Sequence, residues 1–171
     1  MKTRILVSFA ALAFSATAVA QDAPTSQPSG PDISLDPTFG TVELETGFMP
    51  DPHTTDMAAG GPLDASGLGE GCVGYIAEAP DVDFVYTAGD DFPLNLYVVS
   101  EADTTLVVNL PDGSWACNDD SNGFNPLLSM ESPESGLYNI YVGHYDSTDT
   151  PPAVLHISEI APQWPAEEEA E

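Results

Sequence analysis

Short runs of alternating apolar and polar residues fill the chain between residues 41 and 160, and turn residues separate them at intervals of roughly ten residues. In LNLYVVS and TTLVVNL every second residue is apolar, and no segment keeps the period of about 3.6 residues expected of an amphipathic helix. Such a pattern indicates an all-β sandwich or barrel with antiparallel strands. The predicted strands are 41–48, 71–78, 82–88, 94–100, 104–110, 136–145 and 153–160.

Turn residues predict how the middle of this pattern is connected. A short polar link, SEAD, joins the strands at 94–100 and 104–110, and the turn sequence Pro-Asp-Gly follows at 111–113. We therefore predict a β-meander over 94–117. The segment PDPHTTD, which contains His53, is predicted to be a loop.

The two ends of the chain differ in composition from the middle. Residues 1–20 combine a short basic start, an apolar run and an Ala-Val-Ala cleavage site, as in a secretory signal peptide. Residues 21–37 are rich in Pro, Ser and Asp, which indicates a flexible leader. Residues 161–171 end in AEEEAE, which is typical of an acidic, disordered tail. We expect one domain at 38–160, in a secreted or periplasmic protein.

Acidic residues dominate the charge of the chain. It contains 28 Asp and Glu residues but only two basic ones, Lys2 and Arg4, for a net charge of −26. Both basic residues lie in the predicted signal peptide, so residues 21–171 carry all 28 carboxylates and neither Lys nor Arg. We expect neither nucleic acid nor an anionic membrane as a partner, because phosphate contacts need cations. Salt should stabilise the fold by screening the repulsion, and adaptation to a saline habitat would explain such a composition equally well.

Cys72 and Cys117 are the only cysteines of the sequence. An even number in an exported chain predicts one disulfide. The loop of about 45 residues that it would close corresponds to roughly 4 kcal/mol of stabilisation. Two free thiols, or a nucleophilic Cys–His pair, are the alternatives, although neither cysteine lies in a catalytic signature.

Several stretches of the sequence resemble a known family, the bacterial pre-peptidase C-terminal domain. The resemblance covers about residues 39–160, and DTTLVVNLPDGSWACNDD is its most specific part. It implies an antiparallel, jelly-roll-like β-sandwich that is not itself a catalyst and that usually accompanies a secreted protease. Here we expect a stand-alone member. The matching stretches are GCVGYI (71–76), ADTTLVVNLPDGSWACNDD (102–120), NP (125–126), SGLYNIYVGHY (135–145) and LHISE (155–159).

The loop CNDDSNGFNP at 117–126 is the candidate site of this sequence. Some members of the resembled family bind calcium through acidic loops, which implies Asp119 and Asp120 as ligands, with Asn118 and Asn122 beside them. The loop lacks the spacing of an EF-hand. Asp, Asn, Ser and Gly are also the ordinary residues of turns, so a calcium site and a plain turn both remain open.

A calcium ion takes roughly six to eight oxygen ligands, which is more than this loop supplies. We therefore expect further ligands from another segment. Asp81, Asp83 and Asp103 are the candidates, because a Cys72–Cys117 link would bring their segments near the loop.

Catalytic residues are scarce in the sequence. His53, His144 and His156 are scattered, and none accompanies a serine-nucleophile motif or clustered zinc ligands. Pairs of carboxylates, which glycoside hydrolases use for catalysis, do not indicate that activity here, because so acidic a chain contains many such pairs by chance. Trp115 is expected to be half-buried beside the disulfide, with ligand stacking as its alternative role.

We interpret the protein as a secreted, non-catalytic β-sandwich module, stabilised by calcium, that binds an extracellular protein or polysaccharide. One alternative, which rests on the resemblance, is an accessory or regulatory partner of a secreted protease. A hydrolase is the disfavoured alternative, because the sequence offers no nucleophile paired with a base.

Overall fold

The structure is a computed structural model that describes residues 30–165. These residues form eleven β-strands and one short 3₁₀ helix at Ala65–Gly67. The strands are β1 Thr41–Glu45, β2 His53–Ala58, β3 Leu63–Asp64, β4 Tyr75–Ile76, β5 Val82–Thr87, β6 Leu94–Val99, β7 Thr104–Asn109, β8 Trp115–Asn118, β9 Leu127–Met130, β10 Gly136–His144 and β11 Pro152–Ser158.

Seven of these strands form one sheet, sheet A, around β5 and β10. The long strand β10 pairs along one edge with β5 and then with β4, and along the other edge with β7. β8 lies beyond β7, and β3 lies beyond β4. All of these pairs are antiparallel, whereas β1 runs parallel to β5 at the edge of the sheet.

The other four strands form sheet B, in the order β2-β11-β6-β9. Every pair in it is antiparallel. Leu155 of β11 lies opposite Thr55 on one side and Val98 on the other. The chain passes repeatedly from one sheet to the other, so most paired strands are distant in sequence.

The main core lies between the two sheets and uses alternate residues of each strand. In β11 these are Ala153, Leu155 and Ile157, which leaves Val154 and His156 on the outer face of sheet B. The fully buried side chains of the opposite sheet include Phe84 and Tyr138, whose rings lie 5.6 Å apart. Because the buried side chains of both sheets form one cluster, the fold is a sandwich.

A second, smaller core covers part of the outer face of sheet A. Tyr141 and Val107, which are neighbours on β10 and β7, pack there against residues of the segment between β2 and β4. The disulfide Cys72–Cys117, with a Cα–Cα distance of 4.9 Å, links this segment to β8. Gly143 allows the close approach, since a Cβ atom there would lie 2.8 Å from the carbonyl oxygen of Tyr75.

The structure confirms the all-β fold, the two-sheet arrangement and the disulfide. The β-meander predicted over 94–117 is wrong in its first half, because β6 belongs to sheet B and β7 to sheet A. Only β7 and β8 form a hairpin there. Both β6 and β7 show the predicted alternation of apolar and polar residues, and each lies between neighbours of its own sheet. The short link between them crosses from one sheet to the other, and such a link can do this as readily as it can close a hairpin.

Four further strand predictions differ from the structure. The loop predicted around His53 is wrong, because His53 begins β2. The strand predicted at 71–78 shrinks to Tyr75–Ile76, since the residues before it form the disulfide-linked cover. The short strands β3 and β9 were not predicted, and two or four residues are too few to show an alternating pattern.

The described residues include part of the predicted leader and part of the predicted tail. The backbone N–H of Asp32, within the predicted leader, donates to the carbonyl oxygen of Glu78 at 2.7 Å. Trp164, within the predicted tail, contacts Tyr97. The predicted signal peptide and residues 166–171 lie outside the described residues. Within the described range, no helix is long and apolar enough to span a membrane.

Candidate functional site

The loop that follows β8 is held together by the side chain of Asn118. Its Oδ1 accepts the hydroxyl of Ser121 at 2.8 Å and the backbone N–H of Leu127 at 2.9 Å. The second bond ties the end of β8 to the start of β9, in the other sheet. Asn118 therefore bridges the two sheets, and this use of its amide oxygen is that of a turn residue.

The tip of the loop is a tight turn between Asn122 and Asn125, whose backbones form an isolated β-bridge. Gly123 has φ of 58°, and Phe124 has negative φ, which is the combination of a type II′ turn. The side chain of Asn125 accepts the backbone N–H of Ser100 at 2.9 Å. The turn is thus anchored on the end of β6, and it presents Phe124 to solvent with 61% of its surface exposed.

Asp119 and Asp120 share a small acidic region with Asp103. The pKa of Asp103 is raised, first by burial and then by the charges of Asp120, Asp119 and Asp146, while His144 opposes the shift. The Oδ1 atom of Asp103 is buried without a hydrogen-bond partner. Of the predicted additional ligands, Asp103 is therefore the one that the structure brings to the loop.

Asp81 and Asp83 lie at the start of β5, in a different environment. Asp81 is almost fully buried, and its Oδ2 accepts the backbone N–H of Val142 at 2.7 Å. Burial raises the pKa of Asp81 to about 7, although this hydrogen bond opposes the shift. The Asp83 carboxylate accepts the side-chain N–H of Asn139 at 2.7 Å. Both carboxylates thus serve the backbone or side chains of β10 rather than the loop after β8.

The hydroxyl of Tyr141 lies in the same region as Asp81 and Asp83. It is buried and has no hydrogen-bond partner. Its pKa is raised, first by burial and then by the charges of Asp81, Asp83 and Asp32. Nevertheless, across residues 30–165 no three His, Cys, Asp or Glu side chains are grouped closely enough to hold a metal ion.

The three histidines are spread over both sheets. His53 begins β2, His156 lies in β11, and His144 ends β10 as predicted. The Nδ1 atom of His144 accepts the backbone N–H of Ser147 at 3.2 Å and lies 3.3 Å from Asp146. The two contacts exclude each other, because an Nδ1 atom that accepts the Ser147 N–H carries no proton to donate to Asp146.

Trp115 is half-buried beside the disulfide, as predicted. It belongs to the second core, and its ring centroid lies 5.9 Å from that of Tyr141. Such packing gives Trp115 a structural role on the outer face of sheet A.

A concave site with a volume of about 640 Å³ lies on the outer face of sheet B. Val99 and Val154 are cross-strand neighbours within it, and Asp56 is the next neighbour of Val154 on β2. We name this site the sheet B groove. Its lining includes Asp56, Val99, Glu101, Phe124, Val154 and Pro165.

The C-terminal segment closes one side of the sheet B groove. Tyr97 stacks on His156 with ring centroids 4.5 Å apart, and Trp164 meets Tyr97 edge-on at 5.0 Å. The backbone N–H of Gln163 donates to the Tyr97 hydroxyl at 3.2 Å. Residues 161–165 therefore cross the outer face of sheet B and end at the groove with Pro165. We name them the C-terminal strap.

Comparison with known proteins adds no relative. Neither a family model, nor a curated protein, nor a solved structure matches the chain. The resemblance to the pre-peptidase C-terminal domain stays a prediction.

Sequence reasoning missed the groove because its parts are far apart in the chain. β2 was predicted to be a loop, and the strap was assigned to a solvated tail. One local signal was available, since Phe124 is a large apolar residue inside an otherwise polar turn. Exposed aromatic residues on anchored turns are frequent features of binding sites.

Proposed function

We propose that the protein is an extracellular binding module whose ligand occupies the sheet B groove. The observation that carries this proposal is the groove itself, which combines an apolar floor with an exposed aromatic side chain. Binding sites of this kind are concave and mostly apolar, with a few polar groups that orient the ligand. The disulfide is compatible with an oxidising, extracellular compartment.

The groove is organised before any ligand arrives. Phe124 stands on a turn whose backbone is bonded at both sides of its tip, and the Thr104 N–H donates to the Phe124 carbonyl oxygen at 3.2 Å. Val99 and Val154 belong to paired strands. Because these parts are fixed by the fold, little conformational entropy would be lost when a ligand binds.

The chemistry of the lining residues favours binding over catalysis. Ser100 supplies the only hydroxyl of the groove lining, and its Oγ donates to the carbonyl oxygen of Pro152 at 2.9 Å. Among the described residues that line the groove there is no histidine or cysteine, and the hydroxyl of Ser100 has no base beside it that would make it a nucleophile; the carboxylates of the groove, Asp56 and Glu101, we assign to the rim. We therefore propose a non-catalytic role.

Amide shifts of the isotopically labelled protein would test the proposal. The panel consists of neutral oligosaccharides and of basic, neutral and acidic peptides. We expect at least one member to shift the amides of Glu101, Asn122 and Phe124 in a saturable manner, and a Phe124→Ala variant to weaken that binding. The proposal fails if no panel member shifts these amides, or if a panel member is hydrolysed.

We further propose that calcium stabilises the fold from a position near Asp103, Asp119 and Asp120, with backbone and water oxygens completing its ligands, because these carboxylates alone are not grouped closely enough to hold the ion. Two observations support it: the Oδ1 atom of Asp103 is buried without a hydrogen-bond partner, and the charges of Asp120 and Asp119 add to burial in raising the pKa of Asp103. A cation near these carboxylates would relieve their repulsion.

Thermal melts with calcium, with magnesium and with NaCl of matched ionic strength test the calcium proposal. We expect calcium to raise the Tm beyond the other two salts, and the double variant Asp119→Ala/Asp120→Ala to lose the excess. The matched control is Asp90→Ala/Asp91→Ala, which removes two adjacent carboxylates from another loop. An equal rise of the Tm in all three salts would mean that the salts only screen the negative charge and that calcium does not bind specifically.

A further inference from the structure

We propose that the sheet B groove receives a basic peptide segment of a partner protein, with an apolar side chain of that segment seated against Phe124. This inference rests on the proposed function and names the chemistry of the ligand. It uses two features of the groove that lie side by side, an apolar floor and a rim of carboxylates.

The apolar part of the groove calls for an apolar side chain. Val99 and Val154 lie next to each other on the outer face of sheet B, and Pro165 borders them from the strap. Phe124 is 61% exposed, so most of its ring is available for contact. A leucine or an aromatic side chain in this position would bury the ring and remove apolar surface from water.

The carboxylates at the rim of the groove favour a ligand with positive charge. Asp56 and Glu101 are exposed carboxylates among the lining residues. Neither hydrogen-bonds another side chain of the described residues, so both are free to accept a partner's ammonium or guanidinium group. Because no Lys or Arg occurs in residues 30–165, nothing in this part of the chain competes for them.

The charge of the chain argues against three other occupants. A second copy would bring a second surface rich in carboxylates, and the sequence that follows Pro165, AEEEAE, is itself acidic. An anionic polysaccharide would be repelled in the same way. By contrast, a basic segment gains from both the local rim and the long-range field, which also accelerates its association.

A labelled peptide with lysines on both sides of a central leucine is the probe. Its affinity for the full-length protein is measured by fluorescence anisotropy at low salt. Two comparison peptides, one with glutamines for the lysines and one with glycine for the leucine, separate the charge from the apolar contact. We expect each comparison peptide to bind about tenfold more weakly.

Variants of the protein locate the binding. We expect Phe124→Ala to weaken the lysine–leucine peptide about tenfold, and Asp56→Asn/Glu101→Gln to weaken it about fivefold. The matched control, Glu43→Gln/Glu45→Gln, removes the same charge from the edge strand β1 and should change the affinity less than about twofold. All of these side chains except Glu101 and Phe124 lie on strands, and all are exposed, so folding is expected to persist.

Three outcomes would overturn the inference. If the control pair weakens the peptide as much as the groove pair does, the attraction is a property of the whole acidic surface. If a neutral oligosaccharide shifts the groove amides and the basic peptide does not, the inference fails while the proposed function stands. If no panel member shifts the groove amides, the proposed function fails as well.

Discussion

The outer face of sheet A and the outer face of sheet B are both partly covered by segments of the same chain, but by different means. On sheet A the covering segment is cross-linked to β8 by the disulfide, and it encloses a second core around Tyr141. On sheet B the C-terminal strap is held by the edge-on contact of Trp164 with Tyr97 and by one hydrogen bond. A groove remains beside the strap, whereas the second core is packed.

Under the proposed function, this difference separates the residues that stabilise the fold from those that bind the ligand. Where the cover is cross-linked, side chains such as Trp115 and Val107 are used for packing. Where the cover is short and uncoupled, the same kind of face keeps apolar surface accessible, with Phe124 at its border. We therefore expect changes on sheet A to act on the free energy of unfolding and changes at the groove to act on affinity.

The largest effect is expected from removing the disulfide. The Cys72→Ala/Cys117→Ala variant opens a loop with a sequence separation of 45 residues, and chain entropy implies a loss of ~4 kcal/mol. Urea unfolding followed by circular dichroism measures it. Affinity of the groove for its ligand, measured on the folded variant, serves as the control and should not change. A loss below ~1 kcal/mol would mean that the second core is stable without the link.

The buried carboxylate of Asp81 should give the next largest effect, through pH. Its pKa is raised from 3.8 to about 7 in the folded protein, so between these values the folded state binds a proton that the unfolded chain releases. The free energy of unfolding therefore rises as the pH falls from about 7 toward 4, with a slope of up to ~1.4 kcal/mol per pH unit from this group.

The Asp81→Asn variant isolates this contribution. Its side-chain oxygen still accepts the Val142 N–H, but it cannot titrate, so the slope should flatten and the variant should be more stable than the parent above pH 7. Asp56→Asn, which removes an exposed carboxylate from the other outer face, should keep the slope. Urea unfolding between pH 4 and 7 measures the pH dependence of the free energy of unfolding in the parent and in both variants. Equal slopes in the parent and Asp81→Asn would contradict the prediction.

Loosening the strap should cost less. We expect Trp164→Ala to lower the free energy of unfolding by about 1 kcal/mol, because Tyr97 loses its edge-on partner. Thermal unfolding measures the loss, and Trp115→Ala, in the second core, should cost more. If Trp164→Ala lowers the free energy of unfolding more than Trp115→Ala does, the strap on sheet B contributes more to stability than the cross-linked segment on sheet A, contrary to the prediction.

The smallest effect on stability is expected at Phe124. Because its side chain is 61% exposed on a turn, Phe124→Ala should change the free energy of unfolding by less than about 0.5 kcal/mol. Gly123→Ala, which places a side chain at φ of 58°, should cost more than Phe124→Ala in the same urea titration. If Phe124→Ala proves strongly destabilising, the ring is a packing residue, and its use as a binding probe is lost.

Much of the fold could be predicted from the sequence, because alternation reports which residues of a strand are buried. The strands at 82–88, 94–100 and 136–145 were predicted within one or two residues of the observed ones. Pairing could not be predicted in the same way. The alternation of β6 and β7 is the same whether they pair with each other or lie in opposite sheets, and only the partners at long range decide it.

The candidate site was less accessible to sequence reasoning. Asp103 was correctly placed near Asp119 and Asp120, but Asp81 and Asp83 lie in another environment, since the disulfide joins β8 to the cover of sheet A rather than to β5. The turn roles of Asn118 and Asn122 follow from ordinary turn chemistry. The groove forms only because the strap and β2 pack beside β11 and β6, and no local sequence pattern predicts either contact.

The position of β11 has a consequence for the order of assembly. It is the last strand of the described residues, yet it lies inside sheet B and pairs with both β2 and β6. Only β3–β4 and β7–β8 join strands that follow each other in sequence. During synthesis, β2 and β6 therefore lack the strand that lies between them until residues 152–158 have been made. Folding of this sandwich therefore depends on pairings between strands that are far apart in sequence, and topologies of this kind fold slowly.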